Sequence, residues 1–111
     1  MATESPIVWD QVSVQAVFKD YCYENRERAT RVLDQGFPPS AVDGHLGNTL
    51  LHYVVRYRDV QPLVPRMLAA GWDPNARNNT GLTPMHWACA SGNVEVLQTL
   101  MAAGGRLDAV V

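Results

Sequence analysis

Sulfur chemistry has little to work with in this sequence: of 111 residues only Cys22 and Cys89 are cysteines, far apart and without a Cys-x-x-Cys pairing. That excludes a disulfide scaffold and fits the reducing interior of a cell, the cytoplasm first with the nucleus left open. No stretch approaches the roughly eighteen consecutive apolar residues of a membrane-spanning helix. The opening MATESPIVWDQ has neither the basic start nor the apolar run of a secretory signal. Nor does either charge dominate. Nine basic against eleven acidic residues leave a net charge of −2, no electrostatic reason to expect nucleic acid or an anionic membrane as partner. Gly-rich phosphate loops, Gly-x-Ser-x-Gly and His-Glu-x-x-His are absent, and no spacing selects an acid–base pair. Neither catalysis nor a cofactor is expected. What is present is 47% apolar and 18% charged residues, a globular balance over a length of about one domain.

The most informative feature is internal. Residues 47–61 overlay residues 81–95 when shifted by 34: Gly47 falls on Gly81, Thr49 on Thr83, Leu51 on Met85, His52 on His86 and Val60 on Val94. After Gln61 the shift drops to 33, pairing Leu63 with Val96, Leu68 with Met101 and Gly71 with Gly104. Pro62 is therefore the extra residue. A fainter copy places Leu33, Gly36 and Phe37 on Leu68, Gly71 and Trp72 at a shift of 35. A period in this range marks a stacked repeat.

Local signals give the content of each unit. Thr83 caps a helix whose first residue is Pro84, where a missing N–H is tolerated. Met85, Ala88 and Cys89 then mark one apolar face. Ser91-Gly92-Asn93 ends that helix, and a second carries Val96, Leu97, Leu100 and Met101 up to Gly104-Gly105. The middle unit repeats the plan, with Thr49 capping Leu50 to about Tyr57 and Pro62 opening a helix to Ala70. Helices this short persist only by stacking on neighbours.

These residues resemble the ankyrin repeat. TGLTPMHWACASGNVEVLQTLMAAGG follows that family's Gly-x-Thr-Pro-hydrophobic-His opening, Gly-Asn turn and leucine-rich second helix, and Gly71-Trp72-Asp73-Pro74-Asn75-Ala76 looks like its entry to the β-hairpin finger. The resemblance implies an all-α stack of helix-turn-helix repeats with short hairpin-like fingers, in units of about 14–43, 44–77 and 78–111. The first unit agrees only in its second helix and resembles a cap. Leu50 in place of Pro, Arg58 in place of the turn Gly and the longer arm VDGHLGNT predict an irregular middle turn and first finger.

Ahead of the repeats, residues 1–13 read as an extension. Val14, Val17, Phe18, Tyr21 and Cys22 predict a helix from Asp10 or Ser13 to Glu24, and Pro6 to Trp9 form an apolar segment placed to fold back over the first helix pair.

His52 and His86 each follow a capping Thr by three residues. The resemblance implies that each bonds back to that Thr and the backbone, tying fingers together, so a structural role outweighs catalysis or metal binding. His45 lies on a finger without a ligand set. Cys89 and Cys22 read as buried, inert thiols, and the alternating charges from Asp20 to Asp34 as a solvated helix face. Phe37 and Trp72 occupy equivalent places and are expected to stack, while Trp87 either paves a groove or packs on Tyr53.

Ankyrin-like stacks bind other proteins through a concave surface of finger tips and first helices. Carried over, this selects His45, Leu46, Asn48, Arg56 and Tyr57 in the middle unit. The third contributes Arg77, Asn79, Thr80, Leu82, Trp87, Ala90 and Ser91. This mixture of aromatic, Arg, Asn and apolar residues suits protein contact. The expected function is thus a protein–protein interaction module, an adaptor or scaffold. The sequence stops at LDAVV, where a third finger would begin, and an outer face with Val96, Leu100, Met101 and Leu107 is expected to be uncovered. That favours the amino-terminal part of a longer protein; the alternatives are a targeting or regulatory domain of a larger enzyme and self-association through the open end.

Overall fold

The computed structural model describes residues 9–20 and 22–106. Among the described residues six helices follow one another: α1 (Gln11–Lys19), α2 (Arg26–Asp34), α3 (Leu50–Val54), α4 (Val64–Ala69), α5 (Pro84–Ser91) and α6 (Val94–Ala102). Among the described residues the fingers hold a single β-bridge, Val42 to Thr49. The helices are too short to be stable alone. Their apolar faces make one continuous core that runs from Val14 in α1 through Leu51 and Met67 to Leu100 in α6.

Helix starts follow the cap chemistry. Asp10 and Ser13 form a reciprocal capping box on α1, Asn25 accepts from Arg28 N–H at 3.0 Å before α2, and Asn93 accepts from Val96 N–H at 3.1 Å before α6. Gly92 ends α5 in the left-handed region with φ 76°, as the Ser-Gly-Asn break predicts. The repeat-derived helices of the third unit thus stand where the sequence puts them.

Elsewhere the elements are shorter than expected. α1 stops at Lys19 and the chain continues as a 3-10 turn at Cys22–Glu24, because Asn25 already caps the next helix and the chain must reverse before it. α3 ends at Val54 rather than near Tyr57. Gln61–Leu63 is a 3-10 turn, so α4 begins at Val64 instead of Pro62. Pro62 and Pro65 remove two backbone donors from this entry. The Gln61 side-chain amide fastens the irregular turn by donating to Val55 C=O at 2.9 Å.

The amino-terminal segment enters the description at Trp9, with Pro6, Ile7 and Val8 outside the described residues. Trp9 lies edge-on to Phe37 at 5.0 Å and donates its indole N–H to Gln35 C=O at 2.9 Å. The expected pairing of Phe37 with Trp72 is present, with centroids 6.1 Å apart and planes within 7°. Trp87 packs edge-on to Tyr53 at 5.6 Å. Arg26, Glu27, Arg28 and Arg31 are exposed along α2.

Two expectations about burial need correction. Cys89 is exposed: the buried side of α5 is Pro84, Met85 and Ala88, and Cys89 lies one helical step beyond it. The side chain of Cys22 lies outside the described residues. Val96 and Leu100 are buried, because α6 turns them toward α4 and α5 rather than to the open end. Met101 is exposed at 54%, and Leu107 falls outside the description.

Candidate functional site

Each finger is built by one Asx side chain. Asp43 Oδ1 accepts from the N–H groups of His45, Leu46 and Gly47 at 3.2, 2.7 and 2.8 Å. Asn78 Oδ1 accepts from Thr80 and Leu82 N–H at 2.9 and 3.0 Å. Such side chains mimic a backbone turn, so a loop of polar residues holds one shape. Burial pushes the Asp43 carboxyl up, but the hydrogen bonds from the Tyr53 hydroxyl and the backbone outweigh it and hold the group below its usual range. The Tyr53 phenol is pushed up to about 12, by burial first and by its bond to Asp43 second.

The fingers are bolted to one another. Asn79 N–H donates to Leu46 C=O at 2.9 Å, and Asn78 Nδ2 donates to Asn48 Oδ1 at 2.8 Å. Gly47 sits where this contact is closest, with φ 75° and Asn79 Oδ1 only 2.3 Å from where a Cβ would be.

His52 completes the tie. Thr49 N–H donates to His52 Nδ1 at 3.0 Å, which leaves the proton on Nε2 to reach Leu82 C=O at 2.9 Å. Burial holds the His52 pKa below its ordinary value, consistent with a neutral ring. Thr83 N–H donates to His86 Nδ1 at 3.0 Å in the same way. Among the described residues no group of three or more His, Cys, Asp or Glu side chains is placed to hold a metal.

The twelve residues expected on the binding face separate into three places. Arg56, Leu82, Trp87, Ala90 and Ser91 line one cavity of about 460 Å³, joined by His86; Tyr57 is adjacent, its ring 5.9 Å from the Arg56 guanidinium. His45, Leu46, Asn79 and Thr80 are exposed at the finger tips, as is Arg77, which donates to Gly81 C=O at 3.2 Å. Asn48 is fully buried and is removed from the contact surface. It belongs to the finger tie, since its amide oxygen is taken by Asn78.

Sequence reasoning missed Asp43, although an Asx residue ahead of a glycine-rich finger is itself a turn signal. It also missed the stacking of Arg56 on Trp87, 4.9 Å from guanidinium carbon to ring centroid, and the place of His86 in the cavity wall. A second cavity, about 360 Å³, lies between the starts of α4 and α6 and is lined by residues including Arg58, Pro62, Pro65 and Glu95.

Comparison with known proteins agrees with this geometry. The family model of ankyrin repeats in three copies matches residues 17–110. The chain is 35% identical over 96 residues to the inactive serine/threonine-protein kinase TEX14 of Bos taurus, covering 86% of this chain and 6% of that protein. It is 32% identical over 100 residues to the E3 ubiquitin-protein ligase KEG of Arabidopsis thaliana, covering 90% and 6%. With the neurogenic locus Notch protein of Drosophila melanogaster it shares 36% over 83 residues, covering 70% and 3%. These relatives are much larger proteins, and the activities their names carry belong to them as wholes. No described helix is long and apolar enough to cross a membrane. The Thr-x-x-His ties, the stacked helix pairs and the family match together show that this chain belongs to the ankyrin-repeat family of protein–protein interaction modules.

Proposed function

We propose that this chain is a non-catalytic adaptor that holds a segment of another protein on the face formed by its finger tips and first helices. The observation that carries the reading is the convergence of Arg56, Leu82, Trp87, Ala90 and Ser91 on one cavity of about 460 Å³. Its walls are an aromatic ring, aliphatic carbon and a few polar groups, the composition of a protein-binding patch. The stack keeps that patch in shape before the partner arrives, which lowers the ordering cost of binding.

Ala90→Arg tests this directly. Ala90 is exposed on α5, so a long helix-favouring side chain there fills the cavity without entering the core. Affinity capture from native lysate is expected to lose its partner bands with this variant while the thermal melt stays unchanged. Full capture by Ala90→Arg would place the binding surface elsewhere.

A second reading, a targeting or regulatory domain within a larger enzyme, is favoured by the 6% share of the kinase and ligase relatives that the chain spans. The same face would then serve docking within or onto that enzyme. Self-association through the open end loses Val96 and Leu100 as its apolar support, since both are buried.

A further inference from the structure

Building on the docking face proposed above, we infer that the Arg56–Trp87 cavity recognises an acidic side chain. The partner segment carries an Asp or Glu beside aliphatic residues, with its carboxylate on the Arg56 guanidinium.

Arg56 is exposed at the mouth of the cavity, and no described carboxylate pairs with it. Its guanidinium carbon sits 4.9 Å from the Trp87 centroid and 5.9 Å from that of Tyr57. Two rings thus hold a planar cation in place by cation–π attraction. A guanidinium held this way presents its N–H donors with less ordering left to do when a carboxylate arrives.

Charge across the face points the same way. The chain carries −2 overall, yet none of the twelve residues expected on this face is acidic, and two of them, Arg56 and Arg77, are cations. Glu27 and Asp34 lie on α2 and Glu95 on α6 instead, while Glu24 lies in the 3-10 turn that packs against α3. Asp43 lies in the first finger, but its carboxylate is spent on three backbone N–H groups and the Tyr53 hydroxyl. Leu82, Ala90 and the Trp87 ring supply the apolar wall that an aliphatic neighbour of the acid would cover. A basic or uncharged polar segment would leave Arg56 without a counter-charge, whereas an acidic one steers toward it and fixes the register.

The test is selection of random dodecapeptides displayed on phage against the whole chain. Selected peptides are then mapped by amide and Trp87 indole shifts and measured against Arg56→Gln and Arg56→Lys. The expected result is enrichment of Asp or Glu flanked by aliphatic residues. Shifts should fall at Trp87, Leu82 and Ser91, and affinity should drop roughly tenfold for Arg56→Gln, for Asp-to-Asn or Glu-to-Gln peptides, and in part for Arg56→Lys. Binding should also weaken with added salt. Peptides that map to this face without acidic enrichment, or that bind Arg56→Gln equally well, overturn the acidic preference and leave the docking face standing. Peptides that map elsewhere, or no selection at all, overturn both.

Discussion

The middle and third units share a plan but not a burial pattern. Val60 is fully buried and its counterpart Val94 is 64% exposed; Val55 is fully buried and its counterpart Cys89 is exposed; Leu68 is half-buried and Met101 is 54% exposed. His52 is fully buried with Nε2 on Leu82 C=O, whereas His86 is half-buried and lines a small cavity with Asn75, Arg77 and Arg106. The middle unit has helix pairs on both sides, and the third has one among the described residues. Positions that face a neighbouring helix pair within the stack keep their burial: Leu51 and Met85 are both fully covered, as are Met67 and Leu100. The local half of the Thr-x-x-His motif forms in either unit. Its second half needs the next finger.

The comparison breaks most sharply at the two histidines. His52→Ala removes a buried ring and strands Thr49 N–H and Leu82 C=O, so a loss of about 3 kcal/mol is expected in urea unfolding. His86→Ala removes only the local cap and should cost about 1 kcal/mol. Equal losses would mean that the inter-finger bond adds nothing. The paired valines sharpen the point: Val60→Ala should cost about 2 kcal/mol by leaving a cavity, and Val94→Ala should stay within about 0.5 kcal/mol.

Smaller again is the effect of pH. Burial holds the His52 pKa below its unfolded value, so the unfolded chain takes up the proton first. Stability is then full above the ordinary His range and falls as pH drops through and below about 6.5. His52→Gln should flatten this decline in thermal melts between pH 7 and pH 5, the interval in which the unfolded His titrates; a slope identical to that of the parent would remove His52 as its source. Smallest is Arg66→Ala. Its bond to Asp34 is 2.5 Å long, but the two side chains are 42% and 62% exposed, so the change should stay below about 0.5 kcal/mol.

Much of the stack was legible because the repeat transfers. Thr83, Pro84 and Gly92 state where α5 starts and ends, and the equivalence of Phe37 with Trp72 already places one ring above the other. Spacing and transfer mislead where neighbouring units decide burial. Spacing puts Cys89 on one apolar face with Met85 and Ala88, but the buried side of α5 stops at Pro84, Met85 and Ala88 and leaves Cys89 exposed. Its place in a finger predicts an exposed Asn48, yet the register of the next finger draws it into a bond with Asn78. The stacking of Arg56 on Trp87 had no periodic signature at all. Arg56 aligns with Ala90 and Trp87 with Tyr53, so the pair exists only between units.

The docking face is tested most directly by where a partner lies. Amide and indole shifts of the labelled chain, recorded as a captured partner segment is added, are predicted to move at Leu82, Trp87, Ala90 and Ser91. Movement confined to Arg58, Gln61, Glu95 and Thr99 would put the partner in the cavity between α4 and α6 and contradict it.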